Sequence, residues 1–98
     1  MTQGIEILKQ YPLPIDVGNL RKALTDTVRE VETYRGILNK FRAAYACELT
    51  AFEERIRRRE VAEHPAWEVS LEWGVAQDEY EKLSVIRSVL EWTLNFFN

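Results

Sequence analysis

The sequence predicts an all-α protein, a long coiled-coil-like antiparallel helical hairpin with a short N-terminal arm, dimerising into a four-helix bundle. Three observations lead there. Apolar residues recur at alternating steps of four and three from Leu20 almost to the C-terminus, the spacing that holds residues on one helical seam. The four glycines and three prolines in 98 residues are too few for a loop-rich or disordered chain. The last stretch, Val85 to Phe97, is apolar on two sides, and a hairpin of two helices has only one inside.

Residues 1–15 form the arm. Pro12 and Pro14 cannot sit inside a helix, and Asp16 can cap one by accepting from the free N–H groups of its first turn. Ile15 and Leu20 flank that cap as a hydrophobic staple would. The first helix is expected over 16–63. Its seam passes through Leu20, Leu24, Thr27, Val31, Tyr34, Leu38, Phe41, Tyr45, Glu48, Phe52 and Arg55, widened by Val28, Ile37, Leu49 and Ile56. Gly36 costs about 1 kcal/mol relative to alanine in a helix interior, so a kink is conceivable there. Pro65 ends the helix, places the turn near His64 and is tolerated at the first position of the next helix.

The second helix is expected over 65–97, its seam running through Val69, Trp73, Ala76, Tyr80, Leu83, Arg87, Leu90, Leu94 and Phe97. At 1.5 Å per residue the two helices would be roughly 70 and 50 Å long. Folding at residue 64 sets positions whose numbers sum to about 129 opposite one another and leaves residues 17–31 without a partner. Leu20, Leu24, Val28 and Val31 would then be bare unless the arm, with Ile5, Ile7, Leu8, Tyr11 and Leu13, folds back or a second chain covers them. Val85, Val89, Trp92 and Phe96 form a separate stripe at the same spacing. These eight residues, Leu20, Leu24, Val28, Val31, Val85, Val89, Trp92 and Phe96, are the expected dimer interface. Glu48 and Arg87 are charged residues on the seam, suited to fixing register at some cost in stability.

Composition narrows the function classes. With 46% apolar and 30% charged residues the chain reads as one folded domain. A net charge of −3 and a pI near 5.2 give no general attraction to nucleic acid or to anionic membrane. A run of about 20 apolar residues is lacking, so no membrane association is expected. Cys47 is single and forms no internal disulfide, which with the absence of a signal-peptide stretch reads as cytoplasmic. It lies beside the small run Ala43, Ala44 and Ala46, far in sequence from the one histidine, and reads as a structural thiol.

The densest positive feature is Arg55, Arg57, Arg58 and Arg59, a phosphate-binding patch on one reading. No aromatic residues interleave these arginines as stacking platforms would. Seven acids and no lysine or arginine lie from Glu60 to Glu81, and the expected register sets Glu68 and Glu72 opposite the cluster, so interhelical ion pairing is the preferred reading. Arg59 and His64 have the Arg-x4-His spacing and in this the chain resembles HEPN ribonucleases, small helical domains that dimerise around such a motif. Glu60 stands where that family usually has Asn, Asp or His, and Pro65 follows His64 directly. The resemblance implies Arg59 and His64 as ribonuclease residues, against a plain turn or capping role for His64. The carboxylate pairs Glu60/Glu63 and Asp78/Glu81 do not face each other at the expected register, so no metal site is assigned. No cofactor motif is present either.

The reading of the sequence is therefore a non-enzymatic protein–protein interaction, adaptor or regulatory module acting as a helical homodimer on an unidentified protein partner. The alternative is a nucleic-acid-directed protein, binding RNA or DNA through Arg55, Arg57, Arg58, Arg59 and His64 or cleaving RNA with the last two.

Overall fold

The computed structural model describes residues 16–97. The expected arm, residues 1–15, lies outside them. All regular structure among the described residues is helical, in three elements: α1 (Val17–Tyr45), α2 (Leu49–Arg57) and α3 (Glu63–Phe97). They form a rod of 59 × 24 × 16 Å.

Asp16 caps α1, its Oδ1 accepting from the N–H groups of Gly18 at 2.8 Å and Asn19 at 3.4 Å. Two of the four free donors of the first turn are thereby satisfied. The helix then runs uninterrupted through Gly36, where the expected possibility of a kink is not realised. Thr25, Thr27 and Thr33 each donate to the carbonyl four residues back, so hydroxyls inside the helix need no outside partner.

The single helix expected over 16–63 is in fact two. α1 stops at Tyr45 because Ala46 takes the left-handed conformation, φ 55 and ψ 35, and donates its N–H to the carbonyl of Arg42 at 2.7 Å. Cys47 and Glu48 form the link, so Cys47 is at a break and not in mid-helix, where it packs half-buried against the core. α2 ends on a second left-handed residue, Arg59, at φ 58. Arg59 donates to the carbonyl of Ile56 and Glu60 to that of Arg55, the pair of bonds that closes a Schellman motif. α3 contains one extended residue, His64 (φ −114, ψ 121), and is regular from Pro65 on. Pro65 removes no bond there, since the first turn's N–H groups have no intrahelical acceptor.

Burial of α2 accounts for both breaks. A left-handed alanine or arginine costs roughly 1–2 kcal/mol. Turning the chain at Ala46 lays Phe52 over the same indole that Phe41 and Tyr45 cover, with Phe52 about 1% exposed. Full burial of a phenylalanine is worth about 1.5–3 kcal/mol, and Leu49, Ile56 and Val61 add to it by packing on the core.

The break also resets the register. α1 and α3 run antiparallel with Phe41 stacked on Trp73, centroids 5.2 Å apart, Arg35 reaching Tyr80, and Leu24 sharing a groove with Leu94. Folding at residue 64 would have set Phe41 opposite Ser88. With three helices in place of two, α1 is about 44 Å long and α3 about 50 Å, so the expected mismatch largely disappears. Residues 17–31 are not an overhang: Val31 and Thr27 are buried and Leu20, Leu24 and Val28 half-buried, with Arg21 and Leu24 lining a groove with Glu91, Leu94 and Asn95 of α3.

Trp73 is the centre of the core, with no solvent exposure, ringed by Phe41, Tyr45 and Phe52 at centroid distances of 5.2, 6.1 and 5.5 Å. Leu38, Ala66 and Ala76 complete its buried surroundings. Its indole N–H is the one buried side-chain polar atom without a hydrogen-bond partner among the described residues.

Candidate interaction surface

α3 carries two seams. The inner one, Ala66, Val69, Trp73, Ala76, Tyr80, Leu83, Arg87, Leu90 and Leu94, alternates steps of three and four and is buried or half-buried throughout. The outer one stands two residues further along, at Leu71, Val75, Val85, Val89, Trp92 and Phe96, and every one of these is exposed. Two residues at 100° each turn the side chain by about 200°, so the outer seam lies on the face of α3 opposite the inner one, with Leu71 and Val75 bordering grooves shared with α1 and α2. Trp92 is 65% exposed, Val85 63%, Val89 56% and Phe96 46%.

Of the eight residues expected at a dimer interface, the structure therefore separates two groups. Val85, Val89, Trp92 and Phe96 form an uncovered apolar stripe, with Trp92 stacked on Phe96 at 5.9 Å and Phe96 edge-on to Phe97 at 5.3 Å. Leu20, Leu24 and Val28 on α1 are half-buried and Val31 is about 1% exposed, Leu24 lining a groove with Leu94 of α3. The expectation that they would be bare came from the wrong register and does not hold. Sequence reading also missed the other end of the stripe. Trp67, Leu71 and Val75 are more than half exposed, and they continue the outer seam toward the N-terminal end of α3. Their spacing of four was the available signal.

Open grooves flank Leu71 and Val75. One of about 490 Å³ lies between α2 and α3 and includes Leu49, Ile56, Trp67 and Gly74. A second of about 420 Å³ lies between α1 and α3 and includes Tyr34, Ile37 and Phe41. A Cβ added at Gly74 would meet nothing within 4 Å.

The arginines are engaged locally. Arg57 and Arg58 both pair with Glu54 on their own helix, Arg58 Nε at 2.8 Å from Oε1. Arg55 donates from Nη1 to the carbonyl of Tyr45 at 3.3 Å, tying α2 to the end of α1. Arg59 serves as the left-handed terminator of α2. The expected ion pairs from this cluster to Glu68 and Glu72 are not formed; Glu68 instead faces His64, Oε1 to Nδ1 3.4 Å. His64 is 80% exposed at its side chain, at the head of α3. Arg59 lines a largely polar recess of about 520 Å³ with Arg57 and Glu63, and His64 is not among its lining residues.

Of the charged residues expected on the seam, Glu48 is exposed at the start of α2 and holds the break by accepting from Arg42 Nε at 2.9 Å. Arg87 is half-buried and pairs along its own helix with Glu91 at 2.8 Å. Midway along the rod Arg35 links the two long helices, its Nη2 donating to the Tyr80 hydroxyl at 3.5 Å and its Nη1 lying 3.3 Å from Glu32. The Tyr80 hydrogen bond first, and the Glu32 carboxylate next, raise its guanidinium above the ordinary arginine value. Among the described residues no three His, Cys, Asp or Glu side chains cluster as a metal site, and no helix is long and apolar enough to cross a membrane.

Comparison with protein-family models, with curated proteins and with solved structures finds no match to this chain.

Proposed function

We propose that this chain is a non-enzymatic interaction module, an adaptor or regulator, that works as a homodimer with two long helices contributed by each copy. The observation that supports this reading is the outer seam of α3, whose large apolar side chains are more than a third exposed from Trp67 to Phe96. Monomers rarely expose contiguous apolar surface beyond a few hundred Å², and a stripe in register with a heptad invites a second helix. The local pairing of Arg57 and Arg58 with Glu54 favours this reading over a nucleic-acid interface, because carboxylates beside a phosphate-binding patch repel its ligand.

Sedimentation equilibrium of the native chain tests it. A dimer is expected, and the combined variant Val89→Glu, Trp92→Glu is expected to give a folded, helical monomer because both side chains are exposed within one chain. An 11.5 kDa species persisting at high micromolar concentration in the native chain overturns the proposal.

A further inference from the structure

Midway along the outer seam the apolar pattern is interrupted by two charges. Asp78 and Lys82 continue the four-three spacing between Val75 and Val85, and both are exposed. Among the described residues neither forms an ion pair, although they stand four apart on one helix, where such pairs commonly form. Charged residues at seam positions select register and orientation in paired helices.

The order of residues along this seam reads as its own opposite. Three residues outward from Asp78 stands Val75 and three outward from Lys82 stands Val85, and four beyond these stand Leu71 and Val89. We propose that the occupant of this seam is a second copy of the chain, docked α3 on α3 in antiparallel orientation about a two-fold axis near Glu79 to Glu81, with Asp78 against the partner's Lys82. This rests on the dimer reading above and specifies its geometry.

At that register Val75 meets the partner's Val85 and Leu71 meets the partner's Val89, each a layer of the kind antiparallel seams form. Trp92 comes level with the partner's Trp67 and with the groove between α2 and α3, which the bare Gly74 helps keep open. A two-fold axis makes every contact occur twice, so both charges are matched. The parallel arrangement is disfavoured by the same residues, since it sets Asp78 against the partner's Asp78 and Lys82 against the partner's Lys82. Glu79 and Glu81 flank the charged layer and approach their own copies across the axis. That repulsion acts at the water-facing edge, where charge pairs contribute little, whereas the matched pair sits on the seam. Because the outer seam lies opposite the inner seam of α3, the two α3 helices occupy the middle of the assembly and the two α1 helices its outside.

Cysteine cross-linking of the full chain, with Cys47→Ala to remove the native thiol, reads the register directly. Val75→Cys and Val85→Cys chains, mixed and oxidised, are expected to yield the mixed disulfide, while Val85→Cys alone stays uncross-linked because its copies lie about 15 Å apart along the axis. Charge reversal gives the second readout. Asp78→Lys and Lys82→Asp should each raise the dimer Kd roughly tenfold, and the double exchange should restore it to within about threefold of the native value. Circular dichroism confirms that helicity is kept. A native dimer in which Val85→Cys cross-links to itself, or in which the single reversals leave Kd unchanged, overturns the antiparallel register while leaving the dimer reading intact. A native chain that is monomeric, its stripe being covered by residues 1–15 or by another protein, overturns both.

Discussion

Replacing Ala46 with glycine should stabilise the chain. Ala46 ends α1 at φ 55 and ψ 35, a conformation that costs an L-residue roughly 1–2 kcal/mol and glycine almost nothing. Glycine's greater freedom in the unfolded chain returns about 0.4–1 kcal/mol of that gain, leaving a net stabilisation of about 0.5–1 kcal/mol. In a continuous helix over 16–63 the same substitution would lie in the helix interior and cost about 1 kcal/mol. The two architectures therefore differ in sign. For a domain of this size about 1 kcal/mol corresponds to roughly 4–8 °C in Tm. Thermal and urea unfolding followed by circular dichroism, at fixed chain concentration because association shifts apparent stability, supply the assay. Arg59→Gly, at φ 58, should behave alike. Gly36→Ala supplies the internal control, since a Cβ there meets nothing within 4 Å and the helix runs through it; alanine should stabilise by about 1 kcal/mol. A fall in Tm of several degrees for Ala46→Gly would refute the break at Ala46 and, with it, the register that places Trp73 against Phe41.

Trp73→Ala should cost about 3–5 kcal/mol, a large share of a small domain's total stability, and leave the chain largely unfolded at ambient temperature by circular dichroism. Trp73→Phe should cost far less, because it keeps a ring in the stack and removes an indole N–H that has no partner, itself a burden of about 1–3 kcal/mol; urea titration separates the two. Arg57→Ala with Arg58→Ala should leave RNA and DNA binding at the non-specific level, about 10⁻⁴–10⁻⁶ M at physiological salt, in filter binding or fluorescence anisotropy. Nanomolar, sequence-selective binding abolished by that pair would overturn the adaptor reading.

The helical class, the cap at Asp16 and the second apolar stripe were legible in the sequence because each rests on local chemistry: a side chain that accepts from its own first turn, or spacing within one helix. The breaks at Ala46 and Arg59 were not, because the residues usual at left-handed helix ends, glycine and asparagine, are absent from both positions. Long-range packing imposes them, through an aromatic group of Phe41, Tyr45, Phe52 and Trp73 that closes only if the chain turns before Leu49. One such error propagates, since a missed break moves the partner of every later residue, here from Ser88 to Trp73 for Phe41. The outer seam was immune to it. Its exposure depends on which face of α3 the inner seam occupies, and that is fixed within α3 itself by Trp73, Ala76, Leu83 and Leu94. The same independence gives the antiparallel proposal its footing: the mirrored order of Leu71, Val75, Asp78, Lys82, Val85 and Val89 belongs to one uninterrupted helix and would survive any change in how α1 and α2 are laid against it.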